Sequence, residues 1–215
     1  MAVEGIPFIA FSGFATLVLA LAGYGTAAVI GLAVTGFVTW FFRDPCRTTP
    51  AEAGCVVAPA DGKVIQVREV DDREHTGGRA LRISIFMNVF NVHVNRIPCS
   101  GTVRQVSMQP GKFYAADKDK AVLHNERCAL LIETADRQLY GLVQVAGLIA
   151  RRIVCRAETG DQVARGQRYG LIRFGSRVDL YLPVTVRPNV REGEKVRCGE
   201  TIVAFFPGHP EQKTP

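Results

Sequence analysis

The chain opens with a long apolar run, Ile6 to Phe42, that carries almost no charge. One helix over this run would be about 55 Å long, well beyond a hydrocarbon core of about 30 Å. The stretch Gly23-Tyr24-Gly25 offers a break, so the pattern predicts two short apolar helices, Ile6 to Ala22 and Thr26 to Phe42. Together they would form a hairpin that crosses or dips into a bilayer. A cleaved signal peptide is the alternative, which the length of the run and the lack of a basic leading segment disfavour.

The end of the run indicates where the predicted hairpin meets water. Trp40, Phe41 and Phe42 are followed by Arg43, an arrangement typical of aromatic rings at headgroup level with a cation in cytosolic water. Prolines then end any helix and make a short linker. The sequence therefore predicts an N-terminal membrane hairpin over residues 1–42 and a second domain over residues 43–215.

After the linker the hydrophobic pattern changes to that of strands, with short β-rich runs separated by turn residues. Near the C-terminus glycine turns separate further short strands between Val190 and Ala204. The predicted fold is mainly β (α+β): a compact sandwich-like or barrel-like domain with glycine-turned C-terminal strands, behind an apolar helical hairpin. The predicted strands include Val56–Val57, Val64–Val67, Leu81–Phe86, Thr102–Met108, Cys128–Glu133, Gln138–Val145 and Val178–Leu182.

The net charge indicates the class of binding partner, and the cysteines indicate the cellular compartment. A formal charge of +6 is compatible with nucleic acid or with an anionic membrane surface as partner. The basic residues are spread through the chain and form no stripe with interleaved aromatics, so we expect a membrane surface and no nucleic acid. The six cysteines are scattered singly, without a CxxC pair or a histidine at zinc-site spacing. This pattern predicts reduced thiols in a cytosol-facing protein and no metal site.

The candidate for covalent chemistry is the pair Gly175-Ser176, which follows an apolar, strand-like run. A serine hydroxyl can attack the carbonyl of the residue before it, giving an ester. Elimination and hydrolysis then leave a pyruvoyl group at the new N-terminus. A glycine before the serine assists because no side chain blocks the approach. A Gly-Ser pair is also an ordinary strand end or turn, and the pair alone does not decide between the two interpretations.

Four other side chains are candidates with ordinary alternatives. Asp61 lies in Pro59-Ala60-Asp61-Gly62, which is also typical of a hairpin turn. His93 lies in a strand-like stretch, where it is either an acid or base or a satisfied, half-buried side chain. Arg151 and Arg152 either bind phosphate or face water, and nothing local decides between these.

Several stretches occur in an order that closely resembles the short, membrane-associated form of the phosphatidylserine decarboxylase proenzyme family. The resemblance spans most of the chain, and several ordered blocks are far more specific than any one of them. The matching stretches are Phe41-Phe42-Arg43-Asp44-Pro45, Pro59-Ala60-Asp61-Gly62-Lys63-Val64, Phe86-Met87-Asn88-Val89-Phe90-Asn91-Val92-His93-Val94-Asn95-Arg96, Asp119-Lys120-Ala121, Asn125-Glu126-Arg127, Gln144-Val145-Ala146-Gly147 and Arg173-Phe174-Gly175-Ser176-Arg177.

The resemblance implies self-cleavage between Gly175 and Ser176. It would give a β chain of residues 1–175 and an α chain of residues 176–215 that begins with a pyruvoyl group. That group, with no separate cofactor, would form a Schiff base with the amine of phosphatidylserine and draw electrons from the carbon that loses CO₂, as PLP does. The product would be phosphatidylethanolamine. We also expect a homo-oligomer at the inner membrane, with its catalytic domain facing the cytoplasm.

The resemblance also implies roles for individual side chains. His93 would be the base of maturation, the proton donor of turnover, or both, and Asp61 would orient it and stabilise its cationic form. Longer family members have two histidines in this segment, whereas the second place here holds Arg96, so the division of roles stays open. Apart from the resemblance, His124 beside Asn125-Glu126-Arg127 is a second candidate acid or base, and Arg151 and Arg152 are candidate substrate-binding cations.

Two other interpretations belong to different functional classes. The first is a membrane-tethered β domain that binds a partner or anionic lipid and performs no chemistry. It leaves the ordered blocks around Asp61, His93 and Ser176 unexplained. The second is a close relative with the same pyruvoyl chemistry that acts on another amino acid or amine-bearing acid.

Overall fold

The computed structural model describes residues 1–74, 76–111, 125–147, 153–173 and 176–208. The chain divides into two compact units, Met1–Cys46 and Arg47–Pro215. The division thus comes after Cys46, whereas the sequence pattern placed it after Phe42.

The first unit is an apolar helical hairpin. A 3-10 turn (Val3–Gly5) precedes α1 (Ile6–Leu21), and α2 spans Gly25–Phe41. The two predicted helices are confirmed, with ends within one residue of the expected ones. In α1, which is described in full, no side chain is buried within the protein. The helical segment Val3–Leu21 is long and apolar enough to cross a membrane, whereas α2 is shorter.

A polar contact lies between the two helices of the hairpin. Thr16 Oγ1 and Thr35 Oγ1 are 3.3 Å apart, and each hydroxyl also bonds the carbonyl of the residue four positions earlier in its own helix. A Cβ atom added to Gly31 would lie 2.6 Å from Thr16 Oγ1. The glycine therefore lets the two backbones approach, as small residues do between membrane helices.

The described part of the second unit consists of short and medium strands. Their bounds are β1 (Cys55–Val57), β2 (Gly62–Asp72), β3 (Gly78–Met87), β4 (Val94–Arg96), β5 (Gly101–Gln109), β6 (Arg127–Glu133), β7 (Leu139–Ala146), β8 (Ile153–Cys155), β9 (Gln162–Val163), β10 (Arg168–Ile172), β11 (Ser176–Pro183), β12 (Arg187–Pro188), β13 (Lys195–Val196) and β14 (Ile202–Phe205).

The strands form one large, curled sheet and two small ones. The large sheet has the order β13-β2-β3-β11-β7-β6-β5-β9, and its neighbouring strands are antiparallel. The small sheets have the orders β1-β14-β12 and β4-β10-β8. The prediction of a mainly β, barrel-like domain behind an apolar hairpin is confirmed.

The segment that joins β1 to β2 is not the hairpin turn that Asp61-Gly62 suggested. Strand β1 pairs with β14 in a small sheet, whereas β2 pairs with β3 and β13 in the large sheet. The connection therefore carries the chain from one sheet to another, and the hairpin interpretation is wrong. Asp61 at 9% exposure is buried in this crossing, not exposed at a turn apex.

Strand β11 is buried on both faces at the centre of the large sheet. Ser176, Val178, Leu180 and Leu182 belong to one face, and their apolar members join the main hydrophobic core. Arg177, Asp179 and Tyr181 belong to the other face and are also buried. The strand therefore keeps the alternation of apolar and polar residues that is typical of a half-exposed strand, although both of its faces are covered.

Candidate active site

Ser176 is the first residue of the central strand β11. It lies opposite Met87 of β3 on one side and Ala146 of β7 on the other. Its side chain is fully buried, and its Oγ has no hydrogen-bond partner among the described residues. Gly175, the other half of the predicted cleavage site, lies outside the described residues. The structure thus places a buried hydroxyl with no described partner at the start of a central strand.

His93 immediately precedes β4 and is 3% exposed. Its carbonyl accepts a hydrogen bond from the Ile172 N–H at 3.3 Å. Ile172 ends β10, and only three residues separate it from Ser176 in the chain. The histidine backbone is therefore fixed beside the segment that leads into Ser176.

Asp61 is held by two groups distant from it in the sequence. Arg47 Nη2 donates to Oδ1 at 3.1 Å and to Oδ2 at 2.9 Å, and the Cys198 N–H donates to Oδ1 at 2.7 Å. Within the described residues, the hydrogen bonds of this carboxylate go to these groups and not to His93. The role of Asp61 in orienting His93 stays a prediction.

Arg47 extends the same ion-pair cluster to the C-terminal part of the chain. Its Nη1 donates to Glu200 Oε2 at 3.1 Å, while its side chain and that of Asp61 are only 11% and 12% exposed. A two-armed guanidinium can bind two carboxylates at once, which a lysine ammonium cannot do with the same geometry. Arg47 therefore joins the β1–β2 connection to the segment before β14.

The Cys198 thiol holds the Asp61 connection against β4. It donates to the Pro59 carbonyl at 3.2 Å and lies 3.5 Å from the Val94 carbonyl. Burial raises the pKa of this thiol well above its ordinary value, so the proton stays on sulfur and the thiol acts as a donor. This contact places the Asp61 loop beside the strand that follows His93.

Arg96, which occupies the second place of the histidine segment, packs against two glycine turns. Its Nη1 donates to the Gly166 carbonyl at 3.0 Å, and its side chain is 7% exposed. Gly199 has φ +74°, and a Cβ atom there would lie 2.9 Å from Arg96 Cδ. These contacts give Arg96 a structural role at the two turns.

The remaining predicted site residues, His124, Arg151 and Arg152, lie outside the described residues. Within the described ranges no group of three or more His, Cys, Asp or Glu side chains is arranged to hold a metal ion. The six cysteines are all free thiols.

Sequence reasoning missed two buried amides on the Ser176 face of the large sheet. Asn95 Nδ2 donates to Met87 Sδ at 3.6 Å, and Gln144 Nε2 donates to Asn95 Oδ1 at 2.8 Å. Both amides are fully buried. A signal was present, because Gln144 is polar within an otherwise apolar stretch of β7 and both residues belong to blocks that carry the family resemblance.

Comparison with known proteins agrees with the ordered sequence blocks. A family model described as phosphatidylserine decarboxylase matches residues 34–204. A phosphatidylserine decarboxylase proenzyme of Nitratidesulfovibrio vulgaris is 56% identical over 201 residues, covering 94% of this chain and 92% of the relative. Proenzymes of the same name from Ralstonia nicotianae and Geobacter sulfurreducens are 54% and 51% identical, covering 94% and 96% of this chain and 93% and 97% of the relatives. The chain therefore belongs to the phosphatidylserine decarboxylase family.

Proposed function

We propose that this protein is a pyruvoyl-dependent phosphatidylserine decarboxylase that makes its prosthetic group by cleaving itself between Gly175 and Ser176. The relatives named above are called proenzymes, which implies a processed precursor. The observation that carries the proposal is the Ser176 hydroxyl, which is buried at the start of β11 without a described partner. The same environment fits a small, uncharged keto group that replaces the serine.

Self-cleavage begins at the Ser176 hydroxyl. Oγ forms a bond to the carbonyl carbon of residue 175, the C–N bond breaks, and the hydroxyl proton ends on the Ser176 nitrogen. A base then removes the Cα proton of Ser176, and the carboxylate of residue 175 leaves. Water converts the remaining unsaturated amine to the keto group, with release of ammonia. His93 is the proposed base, since its backbone is fixed beside the segment that leads into Ser176.

The resulting pyruvoyl group supplies an electrophilic carbonyl for the substrate amine and an electron sink for the carbon that loses CO₂. The rest of the work falls to the chain's own side chains. His93 returns a proton to that carbon. The role of Asp61 in stabilising the charged form of His93 rests on the family resemblance, since the described hydrogen bonds of Asp61 go to Arg47 and Cys198. Burial of residue 176 keeps the reacting carbon out of bulk solvent.

The substrate is proposed to be phosphatidylserine in a membrane that the first unit binds. The support is the apolar segment Val3–Leu21, which is long enough to cross a bilayer. The catalytic unit is proposed to act on the cytoplasmic side of the inner membrane. A homo-oligomer stays a prediction.

Intact mass of the purified protein tests the cleavage. The wild type is expected to give two fragments, the smaller one beginning with a pyruvoyl group, and to convert phosphatidylserine into phosphatidylethanolamine. Ser176→Ala is expected to stay at full length, keep its membrane association and lack activity. An α fragment in Ser176→Ala, or a single full-length mass for the wild type, would contradict the proposal. Cleavage with activity only on another amine-bearing acid would move the protein to a different substrate class.

Variants of His93 and Asp61 test the assignment of the base. His93→Ala and Asp61→Asn are each expected to leave a folded, uncleaved chain, and the double variant should mature about as slowly as the worse single one. Near-UV circular dichroism distinguishes a folded, uncleaved chain from an unfolded one. If His93→Ala cleaves normally but the mature protein does not decarboxylate, His93 serves turnover alone, and His124→Ala becomes the next variant.

A further inference from the structure

The Asn95 side chain bridges the two strands that flank the first residues of β11. Strand β11 lies between β3 and β7, and the Asn95 amide bonds both neighbours, through Met87 Sδ and Gln144 Nε2. The amide therefore links the side chains of the two strands that flank β11. Because Met87 is directly opposite Ser176, this bridge lies at the end of β11 that begins with Ser176.

The Asn95 amide is on the same face of the sheet as the Ser176 hydroxyl. Directly opposed residues of an antiparallel pair point to the same face, and so do residues two apart on one strand. Ser176 is opposed to Met87, and Val178, two residues on, is opposed to Gln144. Ser176 and both partners of Asn95 therefore face the same interior.

The amide nitrogen of Asn95 is a strong donor whose described acceptor is weak. Its Nδ2 carries two N–H groups, and its described acceptor is the thioether sulfur of Met87, which accepts weakly. Its Oδ1 is held at 2.8 Å by Gln144, whose side chain is fully buried. The bond from Gln144 to Oδ1 thus fixes the orientation of the amide. Its Nδ2 can still donate an N–H to a better acceptor than the Met87 sulfur.

We infer that Asn95 donates this N–H to an oxygen of the reacting centre at Ser176 during self-cleavage, and that Gln144 is its positioning residue. The inference rests on the proposed function. Negative charge develops on oxygen as the hydroxyl adds to the preceding carbonyl, and a buried, pre-oriented donor stabilises that charge more in the transition state than in the ground state. Asn95 itself forms and breaks no covalent bond.

The alternative role for the pair is structural, because a buried amide pair also ties β4 to the large sheet. Loss of a structural hydrogen bond lowers stability without a matched change in the rate of chemistry. The chain offers a control on the opposite face of the sheet. Ser84 is fully buried in β3 and accepts a hydrogen bond from Arg177 Nη2 at 2.9 Å. It is opposed to Asp179, on the face that points away from the Ser176 side chain.

The experiment compares Asn95→Ala, Gln144→Met and Ser84→Ala in the full-length protein. Each precursor is pulse-labelled, the appearance of the α chain is followed on denaturing gels, and the thermal unfolding midpoint is measured in parallel. Asn95→Ala is expected to slow cleavage about 100-fold, the effect of losing one donor of this kind. Gln144→Met should slow it less, because the donor remains but loses its orientation. Ser84→Ala should lower the unfolding midpoint while cleavage stays within about threefold of wild type.

The inference is overturned if Asn95→Ala, when folded, cleaves as fast as Ser84→Ala, or if all three variants slow cleavage equally. Should Asn95→Ala not fold, Gln144→Met decides, and a wild-type rate in that variant overturns the inference. Ser176→Ala, measured alongside, separates this result from the proposed function. If Ser176→Ala stays uncut while Asn95→Ala cleaves normally, only the role of Asn95 is lost. If Ser176→Ala is cut, the proposed function itself is lost.

Discussion

Arg177 and Asp179 form an ion pair whose two side chains are fully excluded from solvent, with 2.5 Å between Nε and Oδ1. The pair lies on the face of β11 opposite the Ser176 side chain. A buried ion pair contributes little net stability compared with apolar residues of the same shape. Removing one partner is costly, because the other charge is left buried and uncompensated.

We therefore expect Arg177→Met to destabilise the fold by about 3–5 kcal/mol, and the double change Arg177→Met/Asp179→Leu to restore most of this loss. Urea unfolding in a Ser176→Ala background measures both effects without a chain break. Arg73→Met removes an exposed pair with Asp71, in which the arginine side chain is 87% exposed, and should change stability little. A double variant as unstable as Arg177→Met would contradict the buried-pair argument.

Gly62→Ala is expected to destabilise the second unit. Gly62 begins β2, and an added Cβ would overlap the Phe86 carbonyl oxygen of the paired strand β3. A paired backbone cannot move aside without breaking the ladder, so we expect a loss of about 1–3 kcal/mol. Gly78→Ala is the matched control, since an added Cβ at Gly78 meets nothing within 4 Å. Equal unfolding midpoints for the two variants would show that β2 and β3 accommodate the methyl group.

The Cys155 thiol is expected to react at lower pH than an ordinary cysteine. A hydrogen bond from Cys128 lowers the pKa of Cys155 to about 7, and the same bond together with burial raises the pKa of Cys128 far above its ordinary value. The alkylation rate of Cys155, followed by peptide mass, should therefore rise with a midpoint near this pKa, because the thiolate is the nucleophile. Cys128→Ala should move the midpoint upward, and an unchanged midpoint would contradict the assignment.

The same thiol pair predicts how stability varies with pH. The pKa of Cys155 is lower in the folded than in the unfolded chain, so its contribution is present above the unfolded value of about 8.5 and is lost as pH falls through about 7. The pKa of Cys128 is raised in the folded chain, so ionisation of this thiol lowers the stability of the fold above its ordinary pKa. The difference in unfolding free energy between wild type and Cys155→Ser should thus grow from about pH 6 to about pH 8.5. A difference independent of pH would exclude this linkage.

Removal of residues 1–42 tests whether the catalytic unit depends on the hairpin. The strands and the main core of the second unit lie beyond Arg47. The truncated protein is therefore expected to cleave itself at the wild-type rate, to act poorly on phosphatidylserine in vesicles, and to act well on substrate dispersed in detergent. Failure to mature would show that the hairpin is part of the catalytic fold.

The apolar hairpin and most strands were predictable because their patterns are local. The predicted strand Val178–Leu182 was too short at its start, since the observed β11 already begins at Ser176. Arg177 and Asp179 resemble a solvent face in the sequence, yet both are buried because β11 is covered on both sides. The periodicity of one strand shows which residues share a face, but it does not show whether another part of the fold covers that face. It therefore could not reveal that the polar pair is buried.

The contacts around Asp61 were not predictable for a different reason. Its two partners, Arg47 and Cys198, are 14 and 137 residues away in the sequence. Arg47 lies in a segment whose prolines mark only a linker, and Cys198 contributes a backbone N–H that no side-chain pattern encodes. The ordered family blocks made Asp61 a candidate site residue, but its binding partners follow only from the sheet topology.

The position of Ser176 at the start of β11 has a consequence for the life of the protein after maturation. The neighbours of β11, strands β3 and β7, both precede the proposed cut, whereas β11 to β14 follow it. The mature molecule would then have its central strand supplied by a separate polypeptide of about forty residues. Unfolding would release two chains, so refolding would depend on protein concentration, and the severed peptide bond could not be remade. The lifetime of the mature protein in the cell would thus depend on its unfolding rate and not on an equilibrium with the unfolded state. A mature molecule whose two chains dissociate would have to be replaced by new synthesis.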